Sequence, residues 1–291
     1  MGFQKITRRC LLVGAACGAL RCATENPSSF SRKNPRPTST FYVPANPEYT
    51  IVESALDSVR FTLDKTLTQT QEGHIASKSS FVDPEGNIME WHEFGTLEGP
   101  GWAANAVGGA YELYRLGAFL DRPDWRATAL GILDHVLESG FIDEDSGFIR
   151  GYRHIPTNTF CLNYTHTSEW FCPGSMAKIA FQLLLFADVI DDGKRASRIR
   201  EIARRCARWI DEHVGTVPNG WFPRRCGPDG TVYTKKPGKG DKEDPYWQTS
   251  ADGLFMVQLQ AALTQRGLAD YNDAIAEKVR VFRQAGGFFA S

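Results

Sequence analysis

A unit of two unlike helices occurs three times along this chain, and no other feature of the sequence constrains the fold as strongly. Each unit begins with an aromatic residue, continues through an apolar helix, a short turn and a charged helix, and ends in a Gly-aromatic pair. The units begin near Trp102, Trp170 and Trp247, and their closing pairs are Gly140-Phe141, Gly220-Trp221 and Gly287-Phe288. A repeat of this length indicates supersecondary units that bury their apolar faces against one another.

The two helices of a unit differ in charge. The first helices, expected over residues 102–119, 174–187 and 249–264, carry few charges. A helix that is apolar nearly all round is buried on most of its surface. The second helices are amphipathic. In residues 194–213 one stripe is apolar and the opposite face carries six arginines, the apolar stripe being Ile199, Ile202, Ala203, Cys206 and Ile210. We therefore expect the second helices to face solvent.

The six arginines do not indicate a nucleic-acid-binding protein. Glu201, Asp211 and Glu212 are interspersed among them, and the whole chain has a formal net charge of −1. An outer helix needs a solvated face in any case, and a nucleic-acid-binding domain usually has a basic excess.

A buried helix, a turn, an exposed helix and a return loop, repeated, describe an inner ring of helices surrounded by an outer ring. In this architecture residues 41–291 resemble the six-hairpin (α/α) toroid superfamily of glycosidases, polysaccharide lyases and sugar epimerases. The resemblance implies an all-α fold. We expect seven helices, one over residues 47–70 and three pairs, whereas a closed ring of six hairpins needs twelve. The expectation is therefore an incomplete (α/α) toroid of about three and a half helical hairpins, either truncated or open by nature. An open arc exposes apolar flanks, which favours instability or oligomerisation.

The N-terminus resembles an export signal. Arg8 and Arg9 precede a short apolar run in the stretch TRRCLLVGAACGAL. This pattern predicts a twin-arginine-type signal over residues 1–24 and a periplasmic or extracellular protein, with an ordinary secretory signal as the alternative. The apolar run is too short to span a bilayer, so no stable membrane span is expected. Residues 25–40 are rich in Ser, Pro and basic residues, which predicts a disordered linker.

Four cysteines lie outside the expected signal: Cys161, Cys172, Cys206 and Cys226. Four cysteines scattered over a domain of this size do not form a disulfide scaffold. A Cys161–Cys172 pair remains an alternative to buried free thiols.

The resemblance implies that the N-termini of the inner helices and the loops before them line one mouth of the ring. Helix N-termini also carry partial positive charge and free N–H groups. Each of the three loops combines acidic and aromatic side chains. Such a combination is typical of a sugar site, because aromatic faces stack on pyranose rings while carboxylates bind hydroxyls or transfer protons.

Glycoside hydrolysis commonly uses two carboxyl groups that flank the scissile bond. We predict Glu169 and Asp252 for this role, with Glu93 third, and His92 and His166 as proton carriers. The predicted sugar platforms are Trp91, Trp102, Trp170, Tyr246 and Trp247. Arg224 or Arg225 is predicted to hold a uronate. Each residue also has an ordinary structural role open to it, a helix cap for Asp252, an ion pair for Glu169 and packing for the tryptophans.

The leading hypothesis is an exported glycoside hydrolase that acts on a polysaccharide or oligosaccharide without a metal or other cofactor. The alternatives are a polysaccharide lyase, a uronate or sugar epimerase, or a non-catalytic glycan-binding remnant. His135 and His213 lie on outer helices and are expected to be structural or solvated. The sequence has no Gly-x-Ser-x-Gly motif, P-loop or dinucleotide fingerprint, which argues against serine hydrolases, NTPases and dehydrogenases.

Overall fold

The structure is a computed structural model that describes residues 49–92, 94–163, 168–234 and 250–285. The expected signal and linker lie outside these residues, as do Glu93, His166, Tyr246 and Trp247. Among the helices that the structure describes, none is long and apolar enough to cross a membrane.

Seven helices dominate the described chain. Helix α1 (Ile51–Phe61) continues into a π-helical turn (Thr62–Thr66), and three helix pairs follow. The pairs are α2 (Ala106–Phe119) with α3 (Pro123–Glu138), α4 (Pro173–Ala187) with α5 (Gly193–His213), and α6 (Gly253–Gln265) with α7 (Asn272–Gln284). The predicted helical class, with three pairs and one further helix, is confirmed over these residues.

The first helices of the three pairs lie side by side. Helix α4 packs against α2 on one side and α6 on the other, and it also packs against its own partner α5. We call α2, α4 and α6 the inner helices and α3, α5 and α7 the outer helices. This order of neighbours is that of an arc of an (α/α) toroid.

The predicted contrast in burial between inner and outer helices is confirmed for α4 and α5. Two thirds of the α4 side chains are buried, including Leu183, Leu184 and Phe186. In α5 the buried side chains form one stripe that includes all five predicted residues. The arginines on the opposite face form ion pairs with acidic residues, such as Arg204 and Arg205 with Glu201. The apolar stripe of α5 therefore attaches the outer layer to the inner one.

The helix starts follow local sequence rules. Pro123 and Pro173 occupy the first positions of α3 and α4, where proline's missing N–H leaves no hydrogen bond unmade. Helix α5 is capped by Asp192, whose Oδ1 accepts a hydrogen bond of 3.0 Å from the Arg195 N–H. Helix α2 begins four residues after Trp102, because Asn105 adopts a left-handed conformation with φ of 49°.

The single helix predicted over residues 47–70 is wrong at its C-terminal end. There β1 (Leu67–Gln69) pairs antiparallel with β2 (Ile75–Ser77). Thr68 lies in β1, and Thr66 and Thr70 flank it. β-Branched residues such as threonine favour strands over helices. A second sheet, also not predicted, consists of β3 (Leu97–Glu98), β4 (Tyr152–His154) and β5 (Thr159–Cys161) in antiparallel order.

One stripe of α4 remains half-exposed on the side shared by the inner helices. Its side chains recur every three or four residues and so lie on one face; they are Ser175, Lys178, Phe181, Gln182 and Leu185. The Lys178 ammonium lies 5.8 Å from the ring centroid of Phe255 on α6. Phe181 and Leu185 are apolar flanks of the expected kind, and oligomerisation through them stays a prediction.

Candidate functional site

The loops before α4 and α6 meet a return loop at one end of the arc, which we call the mouth. A methyl group added to Gly174, in the first turn of α4, would lie only 2.3 Å from the carbonyl oxygen of Asp252. Phe171 and Cys226 exchange two backbone hydrogen bonds of 2.9 and 3.0 Å. The inner-helix starts and the segment around Arg224 are therefore packed together, as the sequence predicts for the end of the ring that carries a site.

Asp252 immediately precedes α6 without capping it. Its backbone is helical, with φ of −56° and ψ of −30°, and its side chain accepts no capping hydrogen bond. Instead its Oδ2 accepts a hydrogen bond of 3.0 Å from Ser250 and lies 3.5 Å from Nε of Arg224. The capping role that the sequence left open is therefore not the role of this carboxylate, which faces the return loop.

Two consecutive arginines stand next to Asp252 and differ in their surroundings. The Arg224 side chain is 40% exposed, although its Nε is buried and donates no hydrogen bond to a described residue. Arg225 is buried, and its guanidinium carbon lies 3.9 Å from the ring centroid of Trp170. At this distance the cation is attracted to the face of the indole ring. Trp170 is thus in contact with Arg225, while Arg224 approaches Asp252.

Cys172 is a mouth residue that the sequence analysis did not single out. It immediately precedes Pro173, and its thiol is free, as are those of the other described cysteines. The alternative of a Cys161–Cys172 disulfide is therefore wrong. Burial raises the pKa of the Cys172 thiol to about 11, the charge of Asp252 raises it further, and those of Arg225 and Arg224 oppose the rise. This thiol is a neutral group at the mouth near pH 7.

A cluster of aromatic rings forms the other half of the mouth, before α2. Trp91 and Trp102 are 79% and 50% exposed, which is unusual for such large apolar side chains. Phe94 lies under Trp102 with ring centroids 5.6 Å apart. His92 stacks on Phe81 at 3.9 Å, and its Nδ1 accepts a hydrogen bond of 3.2 Å from the Phe94 N–H. His92 therefore supports the exposed indoles, and only its Nε2 is left for proton transfer.

Tyr152 connects the two halves. It is buried in β4, and its hydroxyl accepts a hydrogen bond of 3.0 Å from the Ala103 N–H, next to Trp102. Tyr152 also lines one small cavity together with Asn163 and Cys172. Tyr152 therefore lies next to both the segment that carries Trp102 and the start of α4.

The structure does not bring all predicted site residues together. Glu169 is exposed beside Trp170. Within the described ranges it forms no ion pair, so the ordinary role left open for it is not seen there. The positions of Glu93, His166, Tyr246 and Trp247 are outside the described residues, and their predicted roles stay predictions.

A buried polar group lies behind the mouth, and the sequence analysis missed it. Glu98 on β3 accepts a hydrogen bond of 2.7 Å from Nε of Arg153 on the adjacent strand β4, and its other oxygen lies 3.1 Å from Nε2 of His135 on α3. Ser139 contacts the second nitrogen of His135 at 2.9 Å. Glu98 and His135 are both nearly inaccessible. The group ties the second sheet to an outer helix, in agreement with the structural role expected for His135.

No group of three or more His, Cys, Asp or Glu residues in the described part of the chain is arranged to hold a metal ion.

Comparisons with known proteins do not assign the chain to a family. No model of a protein family matches it, and no curated protein sequence matches it. Among solved structures, it is similar to cellobiose 2-epimerase from Spirochaeta thermophila, with 14% sequence identity and a TM-score of 0.45. The match covers 65% of this chain and 43% of the epimerase chain, so this chain spans less than half of that protein.

Proposed function

We propose that this protein is a carbohydrate-processing enzyme whose active site is the mouth, and that it acts as a glycoside hydrolase on an oligosaccharide or polysaccharide. The observation that carries the proposal is the environment of Asp252. This carboxylate does not cap its helix, its one ion pair with a described residue is the 3.5 Å contact with Arg224, and two exposed tryptophans, Trp91 and Trp102, precede the inner helix α2.

The geometry suits sugar chemistry in two ways. The exposed indoles of Trp91 and Trp102 offer flat apolar faces for the C–H groups of a pyranose ring. Asp252, approached by Arg224 and held by Ser250, is positioned as the general base or nucleophile. Glycoside hydrolysis needs a second carboxyl group as the acid, and the exposed Glu169 beside Trp170 supplies it in this proposal.

The proposal is tested by removing the two carboxylates from the full-length protein. In Asp252→Asn and Glu169→Gln variants, we expect the release of reducing ends from a responsive glycan to fall by about a hundredfold or more. The matched control is Asp273→Asn on α7, an exposed acidic residue in the first turn of an outer helix.

A loss below tenfold in both variants, with circular dichroism unchanged, would contradict the site assignment. Product analysis separates the hydrolase from a lyase, because a lyase leaves a 4,5-unsaturated uronate that absorbs near-ultraviolet light. Export through the N-terminal signal is part of the same proposal, and fractionation of cells that produce Arg8→Lys/Arg9→Lys should find the protein retained inside.

A further inference from the structure

We infer that the carbohydrate bound at the mouth carries an anionic group, and that Arg224 holds this group. The inference rests on the proposed function in one respect, that the ligand is a carbohydrate. It concerns whether the bound sugar is neutral or anionic, which neither the exposed tryptophans nor Asp252 determines.

Arg224 has hydrogen-bond donors that the described protein does not use. A guanidinium presents five N–H donors and no acceptor. Asp252 lies 3.5 Å from its Nε, at the outer limit for a hydrogen bond, and no donor of Arg224 is bonded to a described residue. Its Nε is buried, while 40% of the side chain is exposed.

Several other arginines of the described chain form paired hydrogen bonds with one acidic partner. Arg204 forms two hydrogen bonds with Glu201, of 2.7 and 2.8 Å, and Arg266 forms two with Asp188, of 2.6 and 3.0 Å. Arg224 contrasts with them because its one ion pair with a described residue is at Nε, 3.5 Å from Asp252, and no described residue forms a hydrogen bond with its terminal nitrogens. A planar fork of this kind matches an oxyanion by paired N–H···O hydrogen bonds.

The surroundings of Arg224 hold it in place for such a ligand. The neighbouring Arg225 is fixed against the Trp170 ring. Asp252 restrains the inner end of the Arg224 side chain through Nε, which leaves the outer end free. Helices α4 and α6 both start at this point, and their N-terminal ends add partial positive charge. The ligand chemistry is an oxyanion carried on a sugar ring, either the carboxylate of a uronic acid or a sulfate ester.

The test measures binding by calorimetry to sets of disaccharides that differ only at C6 of one ring. Each set contains a uronate, the neutral hydroxymethyl sugar and its 6-sulfate, and several linkages are examined. For at least one linkage, we expect wild-type protein to bind an anionic member about tenfold or more tightly than the neutral member, since hydrogen bonds to charged groups are the strong ones. Which anionic member is preferred distinguishes the carboxylate from the sulfate.

Variants assign the preference to the residue. In Arg224→Met the ratio of anionic to neutral affinity should fall to about one, and in Arg224→Lys it should be intermediate, because lysine keeps the charge and loses the fork. The matched control is Arg208→Met on α5, whose Nε lies 3.9 Å from Glu212 on the exposed face of an outer helix; its ratio should equal that of the wild type.

Neutral sugars bound as tightly as anionic ones by the wild type in every set would overturn the inference, as would a preference that survives Arg224→Met. Whether anionic sugars bind more tightly than neutral ones is decided by the wild-type protein alone. A variant that fails to fold therefore does not block the test. Turnover of neutral glycans without an anionic preference would leave the proposed enzyme intact and reject this inference. Binding of anionic sugars through Arg224 without any turnover would support this inference and reject the proposed enzyme.

Discussion

Cys172 shows how burial and a neighbouring charge together set the pKa of a thiol. Its pKa is raised to about 11, first by burial and then by the negative charge of Asp252. The thiolate is the species that reacts with alkylating reagents. We therefore expect alkylation of Cys172 to be slow at pH 8 and to accelerate steadily as the pH rises toward 11.

Asp252→Asn should speed this reaction at a fixed pH of 8 to 9, because removing the negative charge lowers the pKa of the thiol and increases the thiolate fraction. The rate is measured by iodoacetamide labelling with peptide mass spectrometry. Cys206 is the internal control, because it is fully buried on α5 and should stay unlabelled in both proteins. An unchanged or slower rate at Cys172 would show that Asp252 does not act on this thiol.

At the level of single residues, the sequence predicted the neighbourhood of the site better than its connections. The expectation that inner-helix starts converge grouped Trp170 and Asp252 in advance, and in the structure Arg225 contacts Trp170 and Arg224 lies near Asp252. It gave no sign that Asp252 would turn away from its own helix, since an aspartate at a helix start usually caps it. Glu98 was not predicted as part of a polar group, because its partners His135 and Arg153 are distant in the chain and only the fold brings them together.

Among the secondary-structure elements, the start of α5 offers a direct measure of how local chemistry stabilises a helix. Asp192 accepts the Arg195 N–H at 3.0 Å, whereas the adjacent Asp191 is almost fully exposed and, among the described residues, pairs with Arg126 alone. We expect Asp192→Ala to lower the free energy of unfolding by about 1 kcal/mol, within the usual range of about 0.5–2 kcal/mol for a lost N-cap.

Asp191→Ala is the matched control and should change the free energy of unfolding by less than about 0.5 kcal/mol, because an exposed ion pair contributes little. Urea unfolding followed by circular dichroism measures both variants. Equal losses in the two variants would mean that the charge, and not the cap, matters at this end of the helix.

The elements differ in how well the sequence predicts them, for a physical reason. The bounds predicted for α2, α4, α5 and α6 lie within a few residues of those observed, because the apolar pattern of a helix is a local signal. The first helix was extended too far, because pairing between β1 and β2 is a contact across a turn that propensity does not register. The second sheet escaped prediction because its strands have only two or three residues each.

For the molecule as a whole, α4 is the element on which the packing depends, because it contacts both other inner helices and α5. Leu183 and Leu185 lie on this helix, one fully buried and the other half-exposed. We expect Leu183→Ala to lower the free energy of unfolding by about 2–5 kcal/mol through the cavity that it leaves.

Leu185→Ala removes the same atoms from the half-exposed stripe and should cost clearly less, because solvent fills the space. Thermal and urea unfolding of the two variants in parallel give the comparison. A similar loss for both would indicate that the stripe is covered in solution, as it would be in an oligomer, and would locate the contact.

The arrangement of α4 in the inner layer and α5 in the outer layer was predictable from charge, because α5 carries many charged residues and α4 carries few. The activity was not predictable to the same degree, because a toroid-like arc is a scaffold that can carry several chemistries. What distinguishes hydrolase, lyase and epimerase lies in the loops, where the sequence offers residue types without their mutual positions.

The return of the chain to the same end after the outer helices α3 and α5 has an evolutionary consequence. Insertions or replacements in those loops alter what meets a ligand, while the packed helices behind them keep their spacing and their contacts. The ligand-binding surface can therefore change during evolution while the core stays the same. We expect loops grafted in the laboratory to be tolerated for the same reason.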